Sequence, residues 1–439
     1  MLPSSPGPSL DFRTDPADVP VVGDIEMFLQ QALADLASDP TTPPGAGRPR
    51  ILPALCLWGG LLVCVLRGFT RQAALWRLLT WRGLWHYPRF ALSDQAIYDR
   101  LQADGLAPMM QLLAQVSALL AARLAPYADR RLAPFAAEVL AVDESTLDAV
   151  AARLPSADGG PPPRRLPGKL SAVFDIRRQQ WWRVQHQPNP QQNEKVAARD
   201  LVADAPRGSL FVFDLGYFAF PWLDALTAWG HWWVCRLRKK TSYRVVHTFY
   251  RCGDTFDGLV WLGAYSSDRA RFLVRLVEFR VGTTHYRYLT NVTDPYQLSL
   301  RQIAAVYQRR WDIELAFNLI KTHLGLHLLW SRVDVVILQQ VWAVLVIAQV
   351  LQALRIEIAG RAEVDPYEVS LALLVQYAPQ VAADGQDPVA AVVAGGRAAG
   401  IIRPSRRTAN QAPHIPRDQV APPPPDLVWE RPPRYAGKA

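Results

Sequence analysis

Cysteine is scarce: Cys56, Cys64, Cys235 and Cys252 are the four among 439 residues. They form no C-x-x-C pair and have no His nearby at metal-ligand spacing, which excludes a disulfide framework and a cysteine-based zinc site. Lysine is scarce too, with 6 Lys against 42 Arg, so any Lys inside a motif stands out. Long apolar runs are few. Ile51–Leu66 is uncharged but short, and it contains Pro53 and Gly59-Gly60. Val335–Leu354 is long enough to span a membrane but carries Gln339, Gln340, Gln349 and Gln352. Four amides suit a buried core helix better than a lipid-facing one. No signal peptide opens the chain, whose first residues are rich in Pro and Ser. The expectation is a cytoplasmic protein with no membrane partner.

The composition is otherwise that of a globular protein, 50% hydrophobic and 20% charged. It rules out wholesale disorder and fibrous structure. The 48 Lys and Arg outnumber the 39 Asp and Glu, a net charge of +9 that argues for a polyanionic partner. Of the 36 prolines, nine lie in residues 1–50 and nine in residues 401–439, so both ends are expected to be solvated. A short helix at Asp24–Ala37 and the polyproline run Pro422–Pro425 are the features expected there.

Residues 50–130 read as helical. Within them, residues 76–105 interleave aromatics with Arg, which suits a helical module in contact with phosphates. Ser93 is a good N-cap there and Gly105 a good terminator. Beyond residue 133 the pattern turns strand-like. Glu138–Asp143 reads as a strand ending in a carboxylate. Leu170–Ile176 and Trp181–His186 read as a hairpin, and Asn193–Val202 as a helix. Ser209–Asp214 is a second buried strand ending in a carboxylate. Phe220–Gly230 then reads as helix, His231–Leu237 as strand, 241–296 as an all-β stretch, and Leu300–Leu324 as one long helix. This order is that of an α/β fold with an RNase H-like core, in which the two Asp-bearing strands lie side by side and parallel.

Asp143 and Asp214 would then share one sheet edge. Two such carboxylates repel unless one is protonated or a cation intervenes, and Mg²⁺ prefers oxygen ligands of this kind. Taken singly, each Asp is better read as a cap of the turn or helix that follows it. The helix at 307–321, YQRRWDIELAFNLIK, adds to the case. At 100° per residue, Tyr307, Arg310, Glu314 and Lys321 fall within a stripe about 60° wide. Pairing of Arg310 with Glu314 explains part of that stripe, but not Tyr307 and Lys321 on the same line.

Tyr-x2-Arg-x3-Glu-x6-Lys resembles the signature of the bacterial DDE transposases of the insertion sequence 4 family. Chance would produce it about four times in ten thousand chains of this composition. Asp143-Glu144-Ser145-Thr146 is similar to the family's first Asp motif, and Asp214-Leu215-Gly216-Tyr217 to its second. The family has a small residue where Glu144 stands; strand alternation points Glu144 away from Asp143.

The resemblance, which covers about residues 135–345, implies a transposase that cleaves DNA and transfers strands at the ends of an insertion sequence. Asp143, Asp214 and Glu314 would be catalytic and would hold two Mg²⁺ ions, with Mn²⁺ able to substitute. Tyr307, Arg310 and Lys321 would contact DNA phosphates. The implied partners are double-stranded DNA with terminal inverted repeats and a second copy of the chain, at the nucleoid. The domains expected are a helical N-terminal domain (1–132) with a mobile Pro-rich start and a DNA-end recognition role, the catalytic core (133–240 and 297–372), a β-rich insertion (241–296) and, beyond the resemblance, a Pro-rich, partly disordered tail (373–439). An RNase H-like nuclease, or an inactive DNA-binding descendant, is the alternative.

Weaker candidates are His323 with His327, the basic cluster Arg236, Arg238, Lys239 and Lys240, and Trp261. The two histidines lack a third ligand. The cluster is a solvated edge or a DNA contact. Trp261 stands in the β stretch, where related enzymes stack an aromatic on a flipped base, although a core role is favoured.

Overall fold

The computed structural model describes residues 20–37, 51–147 and 168–435, apart from 70, 190, 192–193, 265–266, 327–329, 332, 406 and 408–410. Five helices open it: α1 (Ile25–Ala37), α2 (Ala54–Leu66), α3 (Gln72–Arg77), α4 (Asp94–Asp104) and α5 (Ala107–Arg123). The α4 boundaries are as expected. Ser93 Oγ accepts from the Ala96 amide at 3.2 Å, and Gly105 ends the helix at φ +70°, where a side chain would be strained.

Nine strands form a single mixed sheet, in the order β3-β2-β1-β4-β5-β9-β8-β7-β6. Its first half comprises β1 (Val139–Thr146), β2 (Lys169–Asp175), β3 (Gln180–Gln187), β4 (Leu210–Phe213) and β5 (Trp232–Arg236), with helices α6 (Glu194–Val202) and α7 (Phe220–Ala228) between them. β1, β4 and β5 run parallel, while β2 and β3 complete an antiparallel meander from β1. Buried apolar runs such as Val139–Val142 and Leu210–Phe213 mark strands covered on both faces.

The β-rich stretch extends the central sheet and does not form a detached lobe. β6 (Tyr243–Cys252), β7 (Thr255–Leu262), β8 (Val274–Val281) and β9 (Thr284–Thr290) form a meander whose last strand pairs with β5, Cys235 opposite Leu289. Alternation in the sequence identifies each strand, but it carries no signal for which edge the last one joins.

The signature segment is broken. It consists of α8 (Leu300–Arg309), α9 (Trp311–Asn318) and a π-helical turn (Leu319–His323), not one regular helix. A wider turn alters the angular spacing, so the 100° arithmetic that aligned Lys321 with Glu314 no longer holds there.

Helix α10 (Asp334–Arg361) organises the interior. Among the described residues it is the one helix long and apolar enough to cross a membrane by itself, and it is buried against α2, α5, the later helices Leu371–Ala383 and Pro388–Gly395, and the sheet strand β3. Its glutamines explain why. Gln339 donates to the Leu101 and Gly105 carbonyls at 2.7 and 2.6 Å. Gln349 accepts from the Trp181 amide at 2.7 Å and donates to Ser117 Oγ at 2.7 Å and the Trp181 carbonyl at 3.0 Å. Buried amides of this kind need partners, and these tie the N-terminal helices to α10 and the sheet. Those helices therefore share one core with the rest of the chain.

The C-terminal region is also built into the fold. Helices α11 (Leu371–Ala383) and α12 (Pro388–Gly395) precede an extended strap that bridges to the β7–β8 loop at Arg269–Arg434 and Phe272–Glu430. Tyr435 donates to Asp224 at 2.6 Å. Proline density alone predicts partial disorder for this tail. Proline also suits an extended segment that bonds intermittently to its host, and that is its use here.

Candidate active site

β1 and β4 are paired in parallel from Val139–Leu210 to Val142–Phe213. The next residue of each strand is Asp143 and Asp214, so register alone brings the two carboxylates to one edge. Asp143 Oδ1 accepts from the Glu144 amide at 2.8 Å, and Asp214 Oδ1 accepts from the Gly216 amide at 2.8 Å, capping the short 3-10 turn Leu215–Tyr217. One oxygen of each group is thus engaged locally, in a cap at Asp214 and within the strand at Asp143.

Arg310 lies where α8 gives way to α9. Its guanidinium meets Glu314 at 2.6 Å and Asp143 at 3.4 Å, so it bridges the signature helix and β1. Its side chain is 12% exposed, and Nε has no partner among the described residues. Burial pushes the Asp143 carboxyl up to about 6. The Glu144 amide and Arg310 oppose the shift, while Asp214 and Glu314 add to it by repulsion. Three mutually repelling carboxylates with hard oxygen donors match the chemistry a divalent cation would satisfy. Among the described residues, however, no group of three His, Cys, Asp or Glu side chains stands close enough to hold a metal ion. Arg310 fills the gap between Asp143 and Glu314, and its charge relieves their repulsion.

Glu144 points elsewhere, as strand alternation required. It pairs with Lys169 and accepts from Ser171 Oγ at 2.6 Å, both on neighbouring β2.

A cavity of about 600 Å³ adjoins Arg310. Tyr307, Trp311, Tyr286, Tyr288 and Arg236 line it, with Gln411 and Ala412 of the C-terminal strap on another wall. The Tyr307 ring packs 4.7 Å from that of Tyr288, and burial pushes its hydroxyl up to about 12. Tyr307 therefore acts as a neutral aromatic wall. Arg236 joins this cavity, whereas Lys239 and Lys240 are exposed at the turn and Arg238 packs over Phe218. Sequence reasoning missed Tyr288 and the strap: nothing in a lone Tyr on a strand, or in a Pro-rich tail, points to this wall. Lys321 and His323 lie in the π turn, with His323 exposed, and His327 lies outside the described residues. Trp261 is 4% exposed and covered by Arg431, which fits a core role.

Residues 134–350 match the family model of the transposase DDE domain. The match supports a DDE transposase. Asp143, Asp214, Tyr307, Arg310, Glu314 and Lys321 all fall within the matched DDE segment, while α11, α12 and the strap fall beyond it. Transposases with DDE domains generally use divalent metal ions. No curated protein matches this sequence. A solved structure similar to the chain is a piggyBac transposase synaptic complex with hairpin DNA, 9% identical. It covers 88% of this chain and 84% of that one, with a TM-score of 0.39, too low to bear on function.

Proposed function

We propose that the chain is a DNA transposase of the insertion sequence 4 type, built on an RNase H-like core, that cleaves and joins strands at the ends of a mobile element. The observation that carries this reading is Arg310, which joins Glu314 of the signature helix to Asp143 of β1, just beyond the last residue paired with β4. The sheet order β3-β2-β1-β4-β5, with its parallel centre, supports the RNase H-like reading. Asp143, Asp214 and Glu314 would hold the two Mg²⁺ ions, which would activate water or a 3′-hydroxyl and stabilise the leaving oxygen.

The protein's own groups supply the rest. Arg310 is already charged and partly desolvated, and a phosphate arriving at this site would compete with Asp143 for its guanidinium. Moving Arg310 from Asp143 to phosphate would open the gap between the carboxylates as the substrate enters. Tyr307 and Trp311 wall the adjoining cleft, and Arg236 adds positive charge on its far side. Lys321 is retained as a phosphate contact on the strength of the signature. Terminal inverted repeats and a second copy of the chain complete the proposed assembly.

Strand transfer is the test. Duplexes carrying the DNA that flanks the coding region should be cleaved at the element ends and joined to a target plasmid. Cleavage without joining would favour the nuclease alternative.

A further inference from the structure

The buried face of the signature helix carries a second charged network, opposite the carboxylates. At about 100° per residue, Asp312 lies roughly 160–200° around the helix from both Arg310 and Glu314. Asp312 is 1% exposed. One oxygen accepts from Arg309 at 2.6 Å and from Gln179 at 2.8 Å, and the other lies 3.2 Å from Arg407. Arg407 also donates to the Gln308 carbonyl at 3.1 Å. Tyr367 packs against three guanidiniums, those of Arg407 at 4.1 Å, Arg355 at 5.0 Å and Arg309 at 5.4 Å.

The placement of these contacts matters. Helical continuity breaks at Arg310, between α8 and α9. Arg407 touches a group on each side of the break: it donates to the Gln308 carbonyl before it, and it forms an ion pair without a hydrogen bond to the Asp312 carboxylate after it. A backbone without continuous hydrogen bonding can hinge, and a guanidinium that grips both halves restrains that hinge. Both Arg407 and Tyr367 lie C-terminal to the matched DDE segment.

We infer that the C-terminal region is a positioning element for the catalytic helix, with Arg407, Tyr367 and Asp312 setting the direction in which Arg310 and Glu314 project. The inference rests on the transposase reading only for the reaction it serves. Burial alone would ask only that Asp312 be neutralised, which Arg309 already does. Arg407 adds a bridge across the break.

The test uses the full chain with Arg407→Ala, Arg407→Lys and Asp312→Asn, each checked for folding by circular dichroism. Nicking of supercoiled plasmid with Mg²⁺ is followed at saturating protein, alongside affinity for a fluorescent random duplex. Amide hydrogen exchange is read over residues 305–318, with β4 as the internal control. Arg407→Ala should leave affinity unchanged and nick about tenfold to a hundredfold more slowly, as misplaced catalytic groups do. Exchange should rise in α8–α9 and stay constant in β4. Arg407→Lys, which keeps the charge at Asp312, should recover part of the rate. Wild-type nicking by Arg407→Ala, or unchanged exchange in α8–α9, overturns the inference. Should Arg407→Ala not fold, Asp312→Asn keeps the shape and answers through the same two readings. If the wild-type chain fails to nick, the proposed function falls, and the exchange of α8–α9 alone decides the positioning role.

Discussion

Arg310 and Glu314 are joined at 2.6 Å across one turn of the signature helix, and the same guanidinium reaches Asp143 at 3.4 Å. As an i,i+4 helix pair, Arg310 and Glu314 contribute only a few tenths of a kcal/mol. The interest of the contact lies in what it spans: strand and helix, with one cation held between two carboxylates.

Glu314→Gln and Arg310→Ala should therefore separate metal binding from DNA binding. Glu314→Gln removes a negative charge and should abolish Mg²⁺-dependent nicking while leaving DNA affinity unchanged or slightly raised. Arg310→Ala should lower affinity and make its salt dependence shallower by about one unit, as expected for one lost phosphate contact. Equal losses of affinity in both variants would make Glu314 merely a structural partner of Arg310. Fluorescence anisotropy across a salt series provides the measurement.

Asp143 should limit stability when no metal is supplied. Its carboxyl titrates at about 6 in the folded protein against an unfolded value of about 4. Between these values the folded state binds more protons, so the Asp143 contribution falls as pH rises through that window and is fully lost above it. Two pKa units correspond to about 2–3 kcal/mol, an upper bound for a side chain that keeps one-fifth of its exposure. Asp143→Asn should thus stabilise the metal-free chain at neutral pH and confer little gain near pH 4. Urea denaturation of both proteins across that range is the check, and a variant no more stable at neutral pH than the parent would contradict the strain argument.

Gln349→Leu should cost about 2–4 kcal/mol, because the Trp181 amide and carbonyl and Ser117 would lose a buried partner. By the same contacts, deleting residues 1–130 should leave α10 without its cover and yield no cooperative thermal transition. A truncated chain that melts sharply would mean that the N-terminal helices form a separable domain after all.

Much of the central sheet was legible in the sequence. Runs such as Leu210–Phe213 and Val139–Val142 announce buried strands, and Ser93 and Gly105 mark helix ends that the structure keeps. The four glutamines of α10 read as core amides because a lipid-facing helix could not satisfy them. Three features were not legible. The join of β9 to β5 is a long-range pairing choice, and alternation within each strand is indifferent to it. The π turn at Leu319–His323 leaves no mark in residue type, so regular helical arithmetic ran through it. Arg407 gives no local hint of its role, since one arginine among 42 in a Pro-rich region looks solvated until Asp312 is found beneath it.

The central claim is that Asp143, Asp214 and Glu314 act as one metal-dependent site. Purified chain should be incubated with supercoiled plasmid carrying the flanking DNA, with Mg²⁺ or with chelator, for the wild type and for Asp143→Asn, Asp214→Asn and Glu314→Gln. Nicking by the wild type with Mg²⁺, its loss with chelator, and its loss in each of the three folded variants is the predicted result. Nicking that survives in any one of those variants at the wild-type rate would contradict the claim.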